Sequence, residues 1–200
     1  MVKGIIFDFD GVIHDTFDLG YKINKQLTNL SKEEYKDMFN GNIYKHKALT
    51  PEAIKEFFEL QNEQYKTLKI EQKIKVELEK LKKIYDLFIV SSNMEETIKN
   101  YLGNNDITHI FKEVLGMESH HSKKEKFRLL MDKHDLHEHD SIFVTDTLGD
   151  ILEANQIGLP TIAVDYGFHE RGRLLRGNPI KIISDFAELL PLAASIQELP

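Results

Sequence analysis

Two pairs of acidic residues stand out because each pair follows a short apolar run. Asp8 and Asp10 come directly after one run, and Asp146 and Asp150 follow another. In an extended chain, residues two apart point to the same side, so Asp8 and Asp10 can face one pocket. Carboxylates this close repel each other unless a cation, a proton or a phosphoryl group lies between them. One such site is typical of a turn, but two in the same context favour chemistry.

The apolar runs before these acids predict the elements that position them. Runs rich in β-branched or aromatic residues predict buried strands at 4–9, 86–91, 141–145 and 161–165, with a weaker strand at 180–183. Helical patterns separate most of these runs, which indicates an α/β fold with a Rossmann-like, doubly wound parallel sheet. In such sheets ligands bind beyond the carboxyl ends of the strands. We therefore expect the acids to line a pocket there.

A long segment without a convincing strand separates the first two predicted strands. Its length of about 60 residues exceeds the dozen or so that a crossover connection needs. Apolar side chains in it recur at helical spacing: Ile54, Phe57, Phe58, Tyr65 and Leu68. We therefore expect a helical cap at residues 16–80, inserted into a core formed by residues 1–15 and 81–200. A helical subdomain that only stabilises the core is the alternative.

The segment Asp8-Phe9-Asp10-Gly11-Val12-Ile13 resembles the first motif of the haloacid dehalogenase superfamily, most of whose members hydrolyse phosphate esters. Ile89-Val90-Ser91-Ser92-Asn93 resembles the second motif, and Asp146 with Asp150 matches the fourth. The resemblance points to the phosphoglycolate phosphatase-like or β-phosphoglucomutase-like branch, whose members carry a helical cap at this insertion point. It covers residues 8–150 in the expected order.

The third and fourth motifs depart from the family pattern. Lys123 or Lys124 fits the third motif, but the Lys-Pro pair that is common there is missing. The pattern Ser-Lys-x-x-Lys, starting at Ser122, resembles the proline-free form of the motif and favours Lys123. In the fourth motif, Thr145 stands where a Gly is usual before the first Asp.

The resemblance implies a catalytic role for four residues. Asp8 would be the nucleophile that becomes an aspartyl-phosphate. Asp10 would protonate the leaving alkoxide and then remove a proton from the hydrolytic water. Ser91 would donate a hydrogen bond to a phosphoryl oxygen, and Lys123 would offset the charge of both Asp8 and the phosphate.

The same resemblance implies sets of binding residues. The set that contacts the substrate would be Ser91, Ser92, Asn93 and Lys123. The set that holds the metal would be Asp8, Asp10, Asp146 and Asp150, with Asp10 acting through its main-chain carbonyl. Oxygen ligands of this kind favour Mg²⁺. Zn²⁺ is disfavoured because the chain has no Cys and no His accompanies the motifs.

Composition and charge limit the classes of molecule that the protein is expected to bind. A net charge of -7 and a pI near 5.7 disfavour nucleic acid as the principal ligand. The sequence shows no secretory signal and no apolar stretch of about 20 residues, so we expect neither export nor membrane insertion. The lack of Cys is compatible with a reducing cytoplasm. Lys45 and Lys47, beside a turn at Gly41, are candidate contacts for an anionic leaving group, although exposed lysines usually contact only water.

Together these features predict a Mg²⁺-dependent phosphatase that acts on a small phosphorylated metabolite through an aspartyl-phosphate. A phosphomutase is the nearest alternative, because a cap that excludes water could return the phosphoryl group to a sugar. A signalling receiver module is a third reading, since it would also phosphorylate an Asp but store the group as a switch. The long insertion and the acid at Asp10 argue against that reading.

Overall fold

A six-stranded parallel sheet forms the centre of the computed structural model, which describes residues 1–46 and 50–196. The strands are β1 Gly4–Phe7, β2 Asp86–Val90, β3 Glu113–Leu115, β4 Ser141–Thr145, β5 Thr161–Val164 and β6 Lys181–Ile183. They lie in the order β3-β2-β1-β4-β5-β6, and all neighbours are parallel. The predicted doubly wound sheet is confirmed, and each predicted strand is present within two residues of its expected bounds.

Strand β3 is absent from the sequence-based prediction. It has three residues, too few for an alternating or apolar pattern to be recognised. Its pairing with β2, in the register Phe88↔Glu113, defines it as an edge strand. The backbone N–H of Ser91 extends this pairing by donating to the carbonyl of Leu115 over 3.0 Å. A long-range contact therefore creates the strand and fixes the start of the second motif.

Helices cover both faces of the sheet. They are α1 Phe17–Leu27, α2 Lys32–Asp37, α3 Pro51–Tyr65, α4 Gln72–Lys82, α5 Glu95–Asn104, α6 Lys123–His134, α7 Leu148–Asn155, α8 Arg171–Leu174 and α9 Leu189–Ile196. Alternate strand residues point to opposite faces, so Ile5 and Phe7 pack with α4, α5 and α9, while Ile6 packs with α6 and α7. Among the described residues, no helix is both long and apolar enough to cross a membrane.

Helices α1 to α3 lie over the carboxyl ends of the strands. Phe17, Tyr35 and Met38 form a separate apolar cluster with Phe168, which belongs to the loop after β5. Helix α2 begins with a capping box at Ser31, whose hydroxyl accepts from the third residue of the helix. This small cluster orders the region between the first two strands and joins it to the sheet.

Polar contacts also fasten α2 to the loop after β5. The Arg173 guanidinium lies 2.8 Å from Asp37 and also pairs with Glu33. His169 is fully buried, and its Nε2 lies 2.9 Å from the carbonyl oxygen of Lys36. Arg173 is mostly buried, but Glu33 and Asp37 are 66% and 51% exposed, so water screens these ion pairs and they stabilise the junction only modestly.

Helix α4 lies within the range expected for the cap, but it packs against the sheet. Its residues Ile74, Leu78 and Leu81 are buried in the same cluster as Ile5 and Phe7. The expected boundary at residue 80 therefore falls inside a helix that covers the core. The division of the chain into a core and a cap stays a prediction.

Candidate active site

The first and fourth motifs meet where the strand order reverses. The chain runs from β1 to β2 and β3 in one direction and then returns to place β4 on the other side of β1. Asp8 follows β1 and Asp146 follows β4, so both acids lie at the crevice that such sheets use for ligands. Gly11 is required here, because its φ is +77° and a Cβ would lie 1.9 Å from Asp146 Oδ2.

Lys123 joins the two acidic pairs. As the first residue of α6, it places its Nζ 2.7 Å from Asp8 Oδ2 and 2.6 Å from Asp150 Oδ2. Its side chain is only 2% exposed. Lys124 is half-buried, and its Nζ lies 3.5 Å from the neighbouring Glu125. Of the two candidate lysines, the structure therefore brings Lys123 to the acids.

The acids carry more negative charge than Lys123 can neutralise. Burial and the charge of Asp150 raise the pKa of Asp8 to about 8, although Lys123 opposes this shift. Burial and the charge of Asp8 raise the pKa of Asp146 well above its ordinary value. Burial also acts on Asp150, but its contacts with Lys123 outweigh that effect and lower its pKa. Without a further cation, protons must compensate part of this charge.

The donors at Asp146 fit a hard cation. Asp146 Oδ2 accepts a hydrogen bond from the backbone N–H of Phe168 over 2.7 Å, whereas Oδ1 is buried and has no partner within residues 1–46 and 50–196. In those residues, no three His, Cys, Asp or Glu side chains converge as a metal site. Mg²⁺ does not need such a set, because it commonly uses one or two carboxylates and completes its shell with water and phosphate. Asp8 and Asp146 would supply two such carboxylates.

The contacts of Thr145 give a reason for Thr at a position where the family pattern usually has Gly. Its side chain is fully buried, and its hydroxyl donates to Asp150 Oδ2 over 2.7 Å. The same oxygen receives the Lys123 ammonium. Asp150, one of the four expected metal-binding residues, is thus committed to Lys123 and Thr145. This arrangement suits a residue that orients its neighbours.

Asp10 is held by side chains from three parts of the chain. Its Oδ1 accepts from Thr16 Oγ1 over 2.7 Å and from the Tyr65 hydroxyl, while its Oδ2 accepts from Asn93 Nδ2 over 3.0 Å. The Tyr65 hydroxyl in turn accepts from Gln61 Nε2 over 3.1 Å. Because Tyr65 has one proton and donates it to Asp10, the direction of this hydrogen-bond chain is fixed.

Sequence reasoning missed the contacts of Thr16 and Tyr65. The Thr16 hydroxyl donates to Asp10 and makes no cap bond to α1, and no sequence pattern indicates this contact. Tyr65 appears only as part of an apolar helical stripe. It lies 55 positions from Asp10 in the chain, and no local pattern links residues so far apart.

The second motif forms a tight turn beside Asp10. The Ser91 hydroxyl accepts from the backbone N–H of Asn93 over 3.1 Å, and a hydroxyl that accepts one bond still has a proton to donate. The Asn93 side chain is engaged by Asp10 and by the backbone N–H of Met94. The turn thus holds Asp10 in place and leaves the Ser91 hydroxyl able to donate to a substrate. The carbonyl of Ser92 accepts a hydrogen bond from the Tyr44 hydroxyl.

Lys126 supports the same turn. It is fully buried, and its Nζ donates to the carbonyls of Ser91 and Gly116, the latter over 3.2 Å. Burial and the nearby Lys123 ammonium lower its pKa to about 7. It lies one turn after Lys123 on α6, which is the spacing of the Ser-Lys-x-x-Lys pattern. The sequence pattern therefore contained Lys126, but it did not indicate that this lysine binds a carbonyl of the second motif.

Helices α1 to α3 and the turn at Gly41 line one side of a cavity, and the cluster of acids lies on the other side. Asp8, Asp10, Ser91 and Lys123 line it from the core side. The turn at Gly41 lies against the start of α7, where a Cβ on Gly149 would be 2.4 Å from the Gly41 carbonyl oxygen. Lys45 is exposed and does not line the cavity, and Lys47 lies outside the described residues. The predicted catalytic residues thus line one cavity.

Comparisons with known proteins find matches over most of the chain. The sequence profile of the haloacid dehalogenase-like hydrolase family matches residues 5–164. A phosphoglycolate phosphatase of Haemophilus influenzae is 28% identical and covers 95% of this chain and 97% of its own length. A phosphoglycolate phosphatase of Aliivibrio fischeri is 29% identical over 53% of this chain, and this match spans 48% of that protein.

A solved structure has the same architecture. It is that of a protein from Haemophilus somnus described as a predicted phosphoglycolate phosphatase, which is 25% identical to this chain. The two superpose with a TM-score of 0.75, covering 96% of this chain and 97% of the other. The architecture is thus shared over nearly the full length of both chains.

Proposed function

This chain belongs to the haloacid dehalogenase-like hydrolase family, and we propose that it is a Mg²⁺-dependent phosphatase that forms an aspartyl-phosphate on Asp8. The family match confirms the resemblance drawn from the four motifs. The relatives named phosphoglycolate phosphatase support a small phosphorylated metabolite as the substrate. The cytoplasmic location, and the exclusion of nucleic acid and membrane as partners, remain predictions from the sequence.

One observation carries this proposal: a buried Asp8 is paired with Lys123 at the strand-order reversal, with a second acid alongside. A carboxylate that attacks a phosphate monoester faces an anion, so the site must neutralise the phosphoryl oxygens. Lys123 supplies one positive charge there. Asp8, Asp146 and the main-chain carbonyl of Asp10 would hold Mg²⁺, which supplies further positive charge at the phosphoryl oxygens.

In the first step, an Asp8 oxygen forms a bond to phosphorus and the bond from phosphorus to the leaving oxygen breaks. Asp10 donates its proton to that oxygen, and its contacts with Thr16, Tyr65 and Asn93 keep the carboxyl group oriented for the transfer. In the second step, Asp10 takes a proton from water as the water attacks phosphorus. The bond between phosphorus and the Asp8 oxygen then breaks and releases inorganic phosphate.

Turnover of a chromogenic phosphate ester tests this function. We expect sustained release of inorganic phosphate that requires Mg²⁺ and falls roughly a thousandfold or more in Asp8→Asn. Asp18→Asn is a matched control, because Asp18 is an exposed acid that pairs with Lys32 at the surface. Mg²⁺-dependent turnover that persists in Asp8→Asn would contradict the assignment of the nucleophile.

Measuring the release of inorganic phosphate from sugar phosphates, as well as from the chromogenic ester, separates the alternatives. A phosphomutase would convert a sugar phosphate into its isomer with little release of inorganic phosphate. A receiver module would be phosphorylated once per molecule without turnover. Family membership favours an enzyme over a receiver module. The relatives named phosphoglycolate phosphatase favour hydrolysis over a phosphomutase reaction.

A further inference from the structure

Apolar side chains line much of the cavity on the side of α1 to α3, beside polar ones such as Asn24 and Gln61. The apolar side chains that line it from helices and turns of the cap include Met38, Phe39, Ile43, Ile54, Phe57 and Phe58. We define the α3 stripe as the last three, Ile54, Phe57 and Phe58, which lie on one face of α3 at spacings of three and four residues. The stripe faces the same space as the predicted catalytic residues.

Packing among the described residues covers only part of the α3 stripe. Its side chains are only half-buried, and they belong to none of the apolar clusters formed by the described residues. Phe57 and Phe58 contact each other edge to face, with ring centroids 5.7 Å apart. Phe57 also lies beside Gly20 of α1, where an added Cβ would be 3.9 Å from its ring. Both rings line the cavity that Asp8 and Asp10 also line.

The charges in the cavity exclude a second anion. Among the described residues that line it, Lys123 is the one Lys or Arg, and its ammonium is shared by Asp8 and Asp150. Asp10 and Glu153 also line the cavity and add negative charge. A carboxylate on the leaving group would therefore lose water without gaining a cation partner, which is unfavourable.

We propose that the alcohol half of the substrate is uncharged and apolar, and that it packs against the α3 stripe while its phosphate meets Lys123. This inference deepens the proposed function and rests on it. It also separates this chain from the activity in its relatives' names, because glycolate carries a carboxylate. The stripe determines specificity and takes no part in the bond changes.

Three phosphate esters with related primary alcohols test the proposal: benzyl phosphate, ethyl phosphate and 2-phosphoglycolate. With Mg²⁺ present, we expect kcat/KM for benzyl phosphate to exceed that for ethyl phosphate by roughly tenfold, because apolar contacts discriminate on this scale. It should exceed that for 2-phosphoglycolate by roughly a hundredfold or more. A preference for 2-phosphoglycolate overturns the proposal.

Variants of the stripe connect this preference to its cause. The double variant Phe57→Ala, Phe58→Ala should lower the ratio of kcat/KM for benzyl to ethyl phosphate by roughly tenfold. Phe57→Arg should raise kcat/KM for 2-phosphoglycolate at least about tenfold, because it adds the missing cation. Leu60→Ala is the matched control, since Leu60 is an exposed α3 residue that does not line the cavity. An unchanged ratio in the double variant overturns the proposal.

Binding of non-hydrolysable analogues separates this inference from the proposed function. By calorimetry, 2-phenylethylphosphonate should bind at least about tenfold more tightly than 3-phosphonopropionate. If no ester is hydrolysed but this order of affinity holds, the phosphatase proposal fails and the inference about the pocket stands. If 3-phosphonopropionate binds more tightly, the inference fails whatever the activity.

Discussion

Replacing the proposed nucleophile should stabilise the metal-free protein while it abolishes activity. Asp8 is 6% exposed, and burial with the charge of Asp150 raises its pKa to about 8 from an ordinary value of 3.8. A carboxyl whose folded pKa is raised contributes stability that is present below the unfolded pKa and is lost as the pH rises through the folded pKa. Asn at this position mimics the protonated acid at every pH.

The gain can be bounded from these values. At about pH 7.5 the wild type lies about 3.7 pH units above the unfolded pKa, and each unit corresponds to about 1.36 kcal/mol, so the upper limit is about 5 kcal/mol. Asp8 shares its protons with neighbouring acids, and Asn forfeits the ion pair with Lys123. We therefore expect Asp8→Asn to gain about 2 kcal/mol in the free energy of unfolding. The gain should shrink as the pH falls toward about 4.

Urea unfolding in the presence of a chelator measures this difference. The chain has no Trp, so circular dichroism is the natural signal. Asp18→Asn again serves as the control and should change stability by less than about 0.5 kcal/mol at either pH. The reasoning is refuted if Asp8→Asn is less stable than the wild type at about pH 7.5, or if its gain is the same at about pH 4.

Three further substitutions test the site. Lys123→Met should lower the free energy of unfolding by about 3–5 kcal/mol, because it leaves buried carboxylates unpaired, whereas Lys124→Met should have little effect in the same urea experiment. Tyr65→Phe removes a hydroxyl that orients the proposed general acid, and so it should lower kcat roughly tenfold for alkyl phosphates and less for aryl phosphates, whose leaving groups need less protonation. An equal loss for both classes would contradict that role. Gly11→Ala should cost at least about 3 kcal/mol in thermal unfolding, since the φ of +77° and the contact at 1.9 Å both oppose a methyl group. Gly41→Ala, where a Cβ meets nothing within 4 Å, is its control.

The fold was largely predictable because local pattern carries it. Apolar runs followed by acids located β1 and β4, and helical spacing located α3. Where the prediction was incomplete, long-range contacts decided the outcome. Strand β3 exists through its pairing with β2, and the three residues that form it give too weak a signal alone.

The sequence by itself determined that acids follow the strands and that a lysine pattern begins near residue 122, because strand ends and helix starts are written in neighbouring residues. Only the tertiary structure decided that Lys123 rather than Lys124 meets Asp8, since the direction of a side chain depends on what its helix packs against. It alone brought Tyr65 and Asn93 to Asp10, across 55 and 83 positions of the chain. Such contacts form when the packing of whole elements places distant side chains together, and no local pattern records that placement.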